Sequence, residues 1–399
     1  MVNPTGANGV DNGVFPPDEE LREILHDFQR RSLSLAVRLR YLEERHGIKI
    51  GKTKLKQLNN KFEVPSVRKF RAVEEATAAI ANIISRDVNQ GQGPDTVKKI
   101  ASLRLNIIIP RDFVRSTMHA LVGQGPSDMR RPGRHNRTGP KKRGALDAIG
   151  IFQEIHTMKM GDGIGIDIYG ARDHVGKLLW LVVVPNARLS DTIGHVILDM
   201  VTEYKAVSVQ VTFDGGSELG WLAAFQTTLR PRQEFAPRLS IVDWPPTVSV
   251  KSSSNISIES ACLRDILEEG RIHLIPGNLI HSFLDYFNNQ KTRKQPGRIL
   301  PSGVAPNVVF DMPQDYGLEN LAVPVAQEAI DALRGLIDTP RSEALRWVPD
   351  LFNGLAFEVY HELGSPKLEA LNGWAVFNAM APLIRAQVEL HGLYEALLV

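Results

Sequence analysis

The sequence has a single cysteine, Cys262, among its 399 residues. One cysteine cannot form a disulfide within the chain, and it cannot supply the thiolates of a cysteine-based zinc finger. No stretch approaches the roughly 18 uninterrupted apolar residues that a membrane-spanning helix needs. Residues 1–13 (MVNPTGANGVDNG) contain neither the basic segment nor the apolar segment of a secretory leader. We therefore expect no disulfide framework, no membrane span and no secretion.

Hydrophobic residues make up 43% of the chain and charged residues 23%, proportions that are typical of packed, soluble domains. Single cores usually stop growing well below the 399 residues of this chain, so two or three domains are expected. Residues 1–16 are rich in Gly, Asn and Pro and are predicted to be disordered.

The basic residues are concentrated in two segments. Residues 30–71 contain 13 Lys and Arg against 3 acidic residues, a net charge of +10, and residues 130–143 contain 7 basic residues and no acidic one. Because the whole chain has a net charge of +2, the remaining residues together carry −15. This segregation indicates a front end that binds a polyanion. Charge alone favours solvated basic helix faces just as strongly.

Helical spacing of apolar residues predicts two small helical modules, residues 17–72 and 73–122. The last helix of the first module, Lys52–Phe62, has three apolar residues for the inside and four lysines for the outside, the layout of a helix-turn-helix unit whose second helix enters a DNA groove. In the second module, Gly93-Pro94 and Pro110 mark helix starts. The candidate nucleic-acid-binding residues are Lys52, Lys54, Lys56, Lys61, Arg68, Lys69, Arg71, Arg130, Arg131, Lys141, Lys142 and Arg143.

Residues 123–145 are rich in Gly, Pro and basic side chains and predict a basic linker. Beyond the linker the pattern changes to strands at 164–169 and 178–184, a helix ending near Tyr204, and a strictly alternating strand over 207–213. This order of hairpin, helix and strand predicts an α/β core with a mixed sheet at 146–311, followed by a helical C-terminal region at 312–399.

Two acidic residues have positions from which they could hold a cation. Asp214 ends the alternating strand, where a carboxylate is held rigidly at the edge of the sheet. Glu259 falls in the first turns of a predicted helix that begins near Asn255. Taken singly, an ordinary turn aspartate and a glutamate favoured by the helix dipole explain both residues. Asp214 and Glu259 indicate a cation site only when they are considered together.

Several segments in the same order resemble the integrase catalytic core of the retroviral-integrase and DDE-transposase superfamily, most closely the integrase-core proteins of fungal genomes. The segments that carry the resemblance are GIDIYGARD (165–173), LVVVPNARLSDTIGHVILD (181–199), VQVTFDGGSE (209–218), SSSNISIES (252–260) and FNNQKTRKQPGRILPSGVAPNVVF (287–310). The preceding GPDTVKKIASLRLNIIIPRDFVRSTM (93–118) is similar to the helix-turn-helix that precedes such cores.

The resemblance implies an RNase H-like sheet in which three carboxylates hold two divalent metals, Mg²⁺ or Mn²⁺, for phosphodiester transfer. By position, Asp214 matches the second carboxylate and Glu259 the third. Relatives carry the first aspartate soon after the sequence EIH, whereas here EIHT (154–157) continues directly into MKMGDGIGI. The segment with the first aspartate is missing, and Asp162 and Asp167 are weak candidates to replace it.

We therefore predict an α/β protein with an RNase H-like mixed sheet and flanking helices, preceded by all-α helix-turn-helix modules. The predicted function is that of a transposon-derived, integrase-like DNA-binding protein that is catalytically defective. We expect it in the nucleus, with the cytoplasm as the alternative, and we expect a homo-oligomer as one of its forms. The alternative is an active divalent-metal-dependent polynucleotidyl transferase that uses Asp214 and Glu259 with an unrecognised third ligand. A third explanation is a truncated gene model. An in-frame coding segment in the genomic DNA between the codons for Thr157 and Met158 would support it.

Overall fold

The computed structural model describes residues 13–66, 73–87, 92–122, 152–159, 167–214, 220–230, 241–242, 244–250, 277–295, 300–368 and 372–392. The chain divides into two compact units, Met1–Gly133 and Arg134–Val399. The prediction of disorder over residues 1–16 lies outside the described residues for residues 1–12, and the predicted basic linker over 123–145 lies outside them completely. No helix in the described ranges is long and apolar enough to cross a membrane.

The first unit is built from six helices in its described residues. They are α1 Asp18–Arg30, α2 Leu35–His46, α3 Lys52–Lys61, α4 Val73–Ser85, α5 Pro94–Leu105 and α6 Arg111–Val122. The helix boundaries follow local sequence signals. The Ser34 hydroxyl accepts a hydrogen bond from the Val37 amide at the start of α2, and Gly47 ends α2 in the left-handed conformation. Pro94 opens α5 and Asn106 ends it in the left-handed conformation, so the predicted start of this helix is confirmed.

Helices α1 and α5 join the two halves of this unit. The Lys99 ammonium donates to the Arg31 carbonyl at 2.8 Å, and the Ser102 hydroxyl donates to the Arg30 carbonyl at 2.7 Å. Lys99 and Ser102 are both buried. They satisfy carbonyls at the C-terminus of α1, where the helix has no partners of its own and a cation is favoured. The two modules that the sequence separates, 17–72 and 73–122, are therefore joined by polar contacts between α1 and α5.

The second unit contains a five-stranded mixed sheet with the strand order β3-β2-β1-β5-β6. Strand β1 is antiparallel to β2 and parallel to β5, and β5 is parallel to β6. A separate two-stranded ladder pairs β4 with β7. The predicted mixed α/β architecture is confirmed at this level. The strands are β1 Phe152–Lys159, β2 Asp167–Arg172, β3 Leu178–Val184, β4 Ala206–Val207, β5 Gln210–Asp214, β6 Thr247–Val250 and β7 Val323–Pro324.

The single strand predicted over 207–213 is wrong, because the chain divides it between two sheets. Val207 pairs with Val323, whereas the strand that joins the main sheet begins at Gln210. The buried Ser208 stands between the two, and its carbonyl accepts a hydrogen bond from the Gln226 side chain. The alternation of buried valines is retained across the break. Periodicity therefore identified the buried positions but not the neighbouring strands.

Three helices of the second unit pack against the main sheet: Ser190–Tyr204 and Gly277–Asn289 contact β3, and Gly220–Leu229 contacts β6. Helix α7 lies at the centre of the largest apolar cluster, and Gly194 within it allows close approach of Ile337 and Trp221. Residues after 311 contribute Leu321, Ile330 and Leu333 to the same cluster. The helices are α7 Ser190–Tyr204, α8 Gly220–Leu229, α9 Gly277–Asn289, α10 Pro306–Asp311, α11 Gln327–Arg334, α12 Arg341–Ala344, α13 Asp350–Glu362 and α14 Gly373–Leu390, with a short 3₁₀ turn at Pro313–Tyr316.

The β2–β3 hairpin fixes one side of the sheet. A turn at 173–176 connects the two strands: the Asp173 carboxylate accepts a hydrogen bond from the Val175 amide at 2.7 Å, and Gly176 has a φ of +99°. Strand β3 stands last in the strand order. The Asn288 side chain of α9 accepts from the Leu178 amide and donates to the Leu178 carbonyl, both at 2.8 Å.

Candidate nucleic-acid interface and carboxylate edge of the sheet

Helix α3 has the two-sided composition that the sequence predicted. Leu55, Leu58 and the following Phe62 are buried. They recur at steps of three and four residues, so they form one stripe facing the rest of the unit. The four lysines of the helix, Lys52, Lys54, Lys56 and Lys61, are all exposed.

Three of these lysines are free to meet an external anion. Lys61 forms an ion pair with Asp18 of α1 at 2.6 Å and lies 4.7 Å from the centre of the Phe62 ring. Across the described residues, Lys52, Lys54 and Lys56 have no ion-pair or hydrogen-bond partner. Helix α3 contains no acidic residue that would neutralise them. Their charge is therefore available for phosphate groups.

A tight turn sets the angle between α2 and α3. The left-handed Gly47 lets the Ile48 amide return to the Leu42 carbonyl at 2.8 Å, and the fully buried Ile48 anchors the turn. Gly51 then provides the extended residue before α3. The predicted helix, turn and helix are thus present over Leu35–Lys61. The other predicted basic residues (Arg68, Lys69, Arg71, Arg130, Arg131, Lys141, Lys142 and Arg143) lie outside the described residues.

Asp214 is the last residue of β5 and pairs with Val250, the last residue of β6. Strands β1, β5 and β6 are parallel, so their carboxyl ends meet at one edge of the sheet, the edge where α/β proteins commonly bind ligands. This is the position predicted for Asp214. Glu259 lies outside the described residues, so its proximity to Asp214 stays a prediction.

The neighbouring strand β1 is present and has pairing partners on both sides. Loss of the first-aspartate segment would be expected to leave a central strand incomplete and the edges of its neighbours unpaired, and the pairing of β1 contradicts this. Strand β1 runs unbroken through Thr157 and Met158, pairs along its length with β2, and pairs over Phe152–Ile155 with β5. Strand pairing uses backbone groups, so Met158 and Lys159 complete the strand without an acidic side chain.

The acid that β1 does contain is Glu154, which the sequence interpretation missed. Glu154 is in register with Thr212, and Ile155 is in register with Phe213. Continuing the register by one residue brings His156 level with Asp214. One strand spacing and two residue rises separate the Cα atoms of Glu154 and Asp214 by roughly 8 Å. The EIH segment contains this acid, but its level relative to Asp214 depends on the strand register, which a local sequence pattern does not specify.

The register makes Asp167 a poor substitute. It opens β2 and is level with Lys159, so it lies two strands away from Asp214 and about three residues further along. These offsets put the two Cα atoms roughly 14 Å apart, too far for two short aspartate side chains to share one ion at bond lengths of about 2.0 to 2.6 Å. Asp162 lies outside the described residues.

The described residues do not fit a two-metal centre. Two ions about 3.5 to 4 Å apart need a carboxylate that bridges them, and the one acid of β1, Glu154, has its Cα atom roughly 8 Å from that of Asp214. No group of three or more His, Cys, Asp or Glu that could hold a metal ion occurs in the described part of the chain. The described residues contain Asp214 at the end of strand β5 and the exposed basic helix α3.

Comparison of the chain with protein-family models, with curated proteins and with solved structures finds no match. The function is therefore inferred from the chain's own residues.

Proposed function

We propose that this chain is a transposon-derived, integrase-like DNA-binding protein whose core is catalytically defective. The observation that carries the proposal is the exposed lysine face of α3 in a helix-turn-helix arrangement, where three lysines have no partner among the described residues. Such a helix presents positive charge in a form that fits the phosphates along a DNA groove.

The sheet supports the RNase H-like part of the proposal. An RNase H-like core is a mixed sheet in which an antiparallel three-stranded meander is extended by parallel strands beside its first strand. The order β3-β2-β1-β5-β6, with β5 and β6 parallel to β1, has this form. Asp214 then stands at the edge where the superfamily resemblance expects its second carboxylate.

The proposed defect follows from the composition of β1. The sequence FQEIHTMK has no aspartate at the carboxyl end of the strand. In-line phosphoryl displacement needs both the attacking and the leaving oxygen to be stabilised, and loss of one preorganised stabilising group typically costs about 10² to 10³ in rate. DNA binding and loss of strand transfer are separable properties, since they belong to different units.

The binding part is tested by titrating the full-length protein with duplex DNA over a range of salt concentrations. If six phosphate contacts form, the plot of log K against log salt should have a slope of roughly −5. Lys52→Ala and Lys56→Ala should each lower the magnitude of the slope by about 1. The matched control is Lys291→Ala, an exposed lysine of the second unit, which should leave the slope unchanged. A slope near zero for the wild type would refute DNA binding.

A second candidate function, an active polynucleotidyl transferase, is favoured by one observation. Glu154 lies on the strand next to that of Asp214, and the Cα atoms of the two residues are roughly 8 Å apart. The assay supplies pre-processed terminal DNA and Mn²⁺ and compares the wild type with Asp214→Ala, Glu259→Ala and Glu154→Gln. We expect no strand transfer by any of them. Metal-dependent transfer by the wild type that all three substitutions abolish would establish the active enzyme instead.

A further inference from the structure

We infer that α3 also reads DNA sequence, and that Gln57 and Asn60 are the residues that contact base edges. The inference rests on the proposed DNA binding and goes beyond it, because phosphate contacts position a protein without distinguishing bases. Its basis is a third surface of α3, between the two lysine rows and opposite the buried stripe.

The arrangement follows from residue spacing. Thr53, Gln57 and Asn60 recur at steps of four and three, so they share one face of the helix. The buried Leu55 and Leu58 lie two residues from Thr53 and one residue from Gln57, on the other side of the helix. All three polar side chains are exposed, and within the described residues none of them makes a hydrogen bond. This face therefore points outward with all its donors and acceptors available.

The lysines lie on both sides of this polar face. Lys52 and Lys56 are one turn apart on one flank, and Lys54 and Lys61 are two turns apart on the other. A helix with its side chains is about 10 to 12 Å across, which matches the major groove width of about 12 Å. A helix placed there with its polar face inward would direct Lys52 and Lys56 to the phosphates of one strand and Lys54 to those of the other, while Lys61 stays paired with Asp18.

The chemistry of the face fits base recognition better than solvation. Asn and Thr are weaker helix formers than Lys, Glu or Ala, so a short helix gains nothing from placing them on a merely solvated face. Glutamine and asparagine amides can pair bidentately with the N6 and N7 groups of adenine in the major groove. Gln57 and Asn60 are separated by about 4.5 Å along the helix axis, close to the 3.4 Å spacing of successive bases along a strand. We therefore assign adenines at neighbouring base pairs as their targets.

The experiment selects bound sequences from random duplex DNA with the full-length wild-type protein and then measures affinity for the selected duplex and for a scrambled one. The wild type should enrich a site that contains adenine at the two positions. Gln57→Ala and Asn60→Ala should each lower the ratio of the two affinities by about 5- to 150-fold. Lys52→Ala should weaken both affinities equally and leave the ratio unchanged. Alanine is the best helix former, and far-ultraviolet circular dichroism verifies that each variant keeps its helices.

The outcomes separate this inference from the proposed function. Salt-dependent binding without an enriched sequence, or an enriched sequence that both alanine variants still prefer, would overturn base recognition and leave DNA binding intact. Absence of salt-dependent binding by the wild type would overturn both.

Discussion

Among single residues, Asp173 has an ionisation that is tied to the fold. It begins the β2–β3 turn with only 3% of its surface exposed, and one carboxylate oxygen accepts the Val175 amide. The other oxygen is buried and has no hydrogen-bond partner within the described residues. Burial raises the pKa of Asp173 from 3.8 to about 7, although hydrogen bonds from the turn and the charge of Lys177 oppose the shift.

The raised pKa of Asp173 predicts that stability falls as pH rises from about 4 to about 7. In this window the folded protein binds a proton that the unfolded chain has released, so the contribution is complete below the unfolded pKa and lost as pH passes the folded one. Asp173→Asn keeps an acceptor for the turn and removes the charge. At pH 8 it should stabilise the fold by up to about 4 kcal/mol, since burial raises the pKa by about 3 and each unit of pKa corresponds to about 1.4 kcal/mol.

Urea unfolding of Asp173→Asn and the wild type at pH 5 and pH 8 measures this effect. The exposed Asp338→Asn serves as the control and should shift neither midpoint. An Asp173→Asn variant that is no more stable than the wild type at pH 8 would show that the carboxylate is solvated or paired in the folded state.

Of the two acidic residues near the carboxyl end of the parallel strands, the sequence predicted one and missed the other. Asp214 was predicted at the end of its strand because an alternating apolar run stops there, and the structure ends β5 at that residue. Glu154 was missed, because its proximity to Asp214 depends on the parallel register of two strands that are far apart in sequence. A local pattern carries no information about such a register.

At the scale of elements, the hydrogen bonds between α1 and α5 are expected to stabilise the first unit. Ser102 is 3% exposed and donates to a carbonyl at the end of α1. Ser102→Ala removes the donor to this partly buried carbonyl and should cost about 0.5 to 1.5 kcal/mol. Thermal unfolding followed by circular dichroism measures the cost.

Ser116→Ala provides the matched control for this prediction. Ser116 is exposed on α6 and its hydroxyl donates only to the Phe113 carbonyl of its own helix, so the substitution should stay within about 0.5 kcal/mol. Equal stability of the two variants would mean that the α1–α5 contact contributes nothing.

Elements differ in how well the sequence predicted them, for a physical reason. The boundaries of β3 are confirmed, because seven successive apolar residues, LLWLVVV, specify a buried strand whatever its neighbours are. The predicted strand over 207–213 failed at the Ser208 break, where tertiary pairing with Val323 competes with the main sheet. The helix that was predicted to end near Tyr204 is confirmed, because α7 ends at that residue.

At the scale of the whole molecule, charge divides the chain. Residues 1–143 contain 27 Lys and Arg and 15 acidic residues, a net charge of +12, whereas residues 144–399 contain 20 and 30, a net charge of −10. If the proposed DNA binding is correct, the phosphate backbone should repel residues 144–399 and bind residues 1–143.

Photo-crosslinking of the full-length protein to duplex DNA, followed by peptide mapping, measures this division. Crosslinks should fall within residues 1–143, and raising the salt from 50 to 200 mM should lower the affinity by about 10³ if six phosphates are contacted. Crosslinks that concentrate in residues 144–399 would assign binding to the sheet instead of α3.

The Asn288 side chain has a consequence for association between molecules. Its amide oxygen and nitrogen occupy both the N–H and the C=O of Leu178, as a residue of an additional strand would. The outermost strand β3 is thereby closed at its first residue to backbone pairing with another chain, the route by which exposed sheet edges aggregate. An asparagine can do this because its side-chain amide carries the same donor and acceptor as a peptide group. The Asn288 side chain therefore blocks the addition of another strand at Leu178.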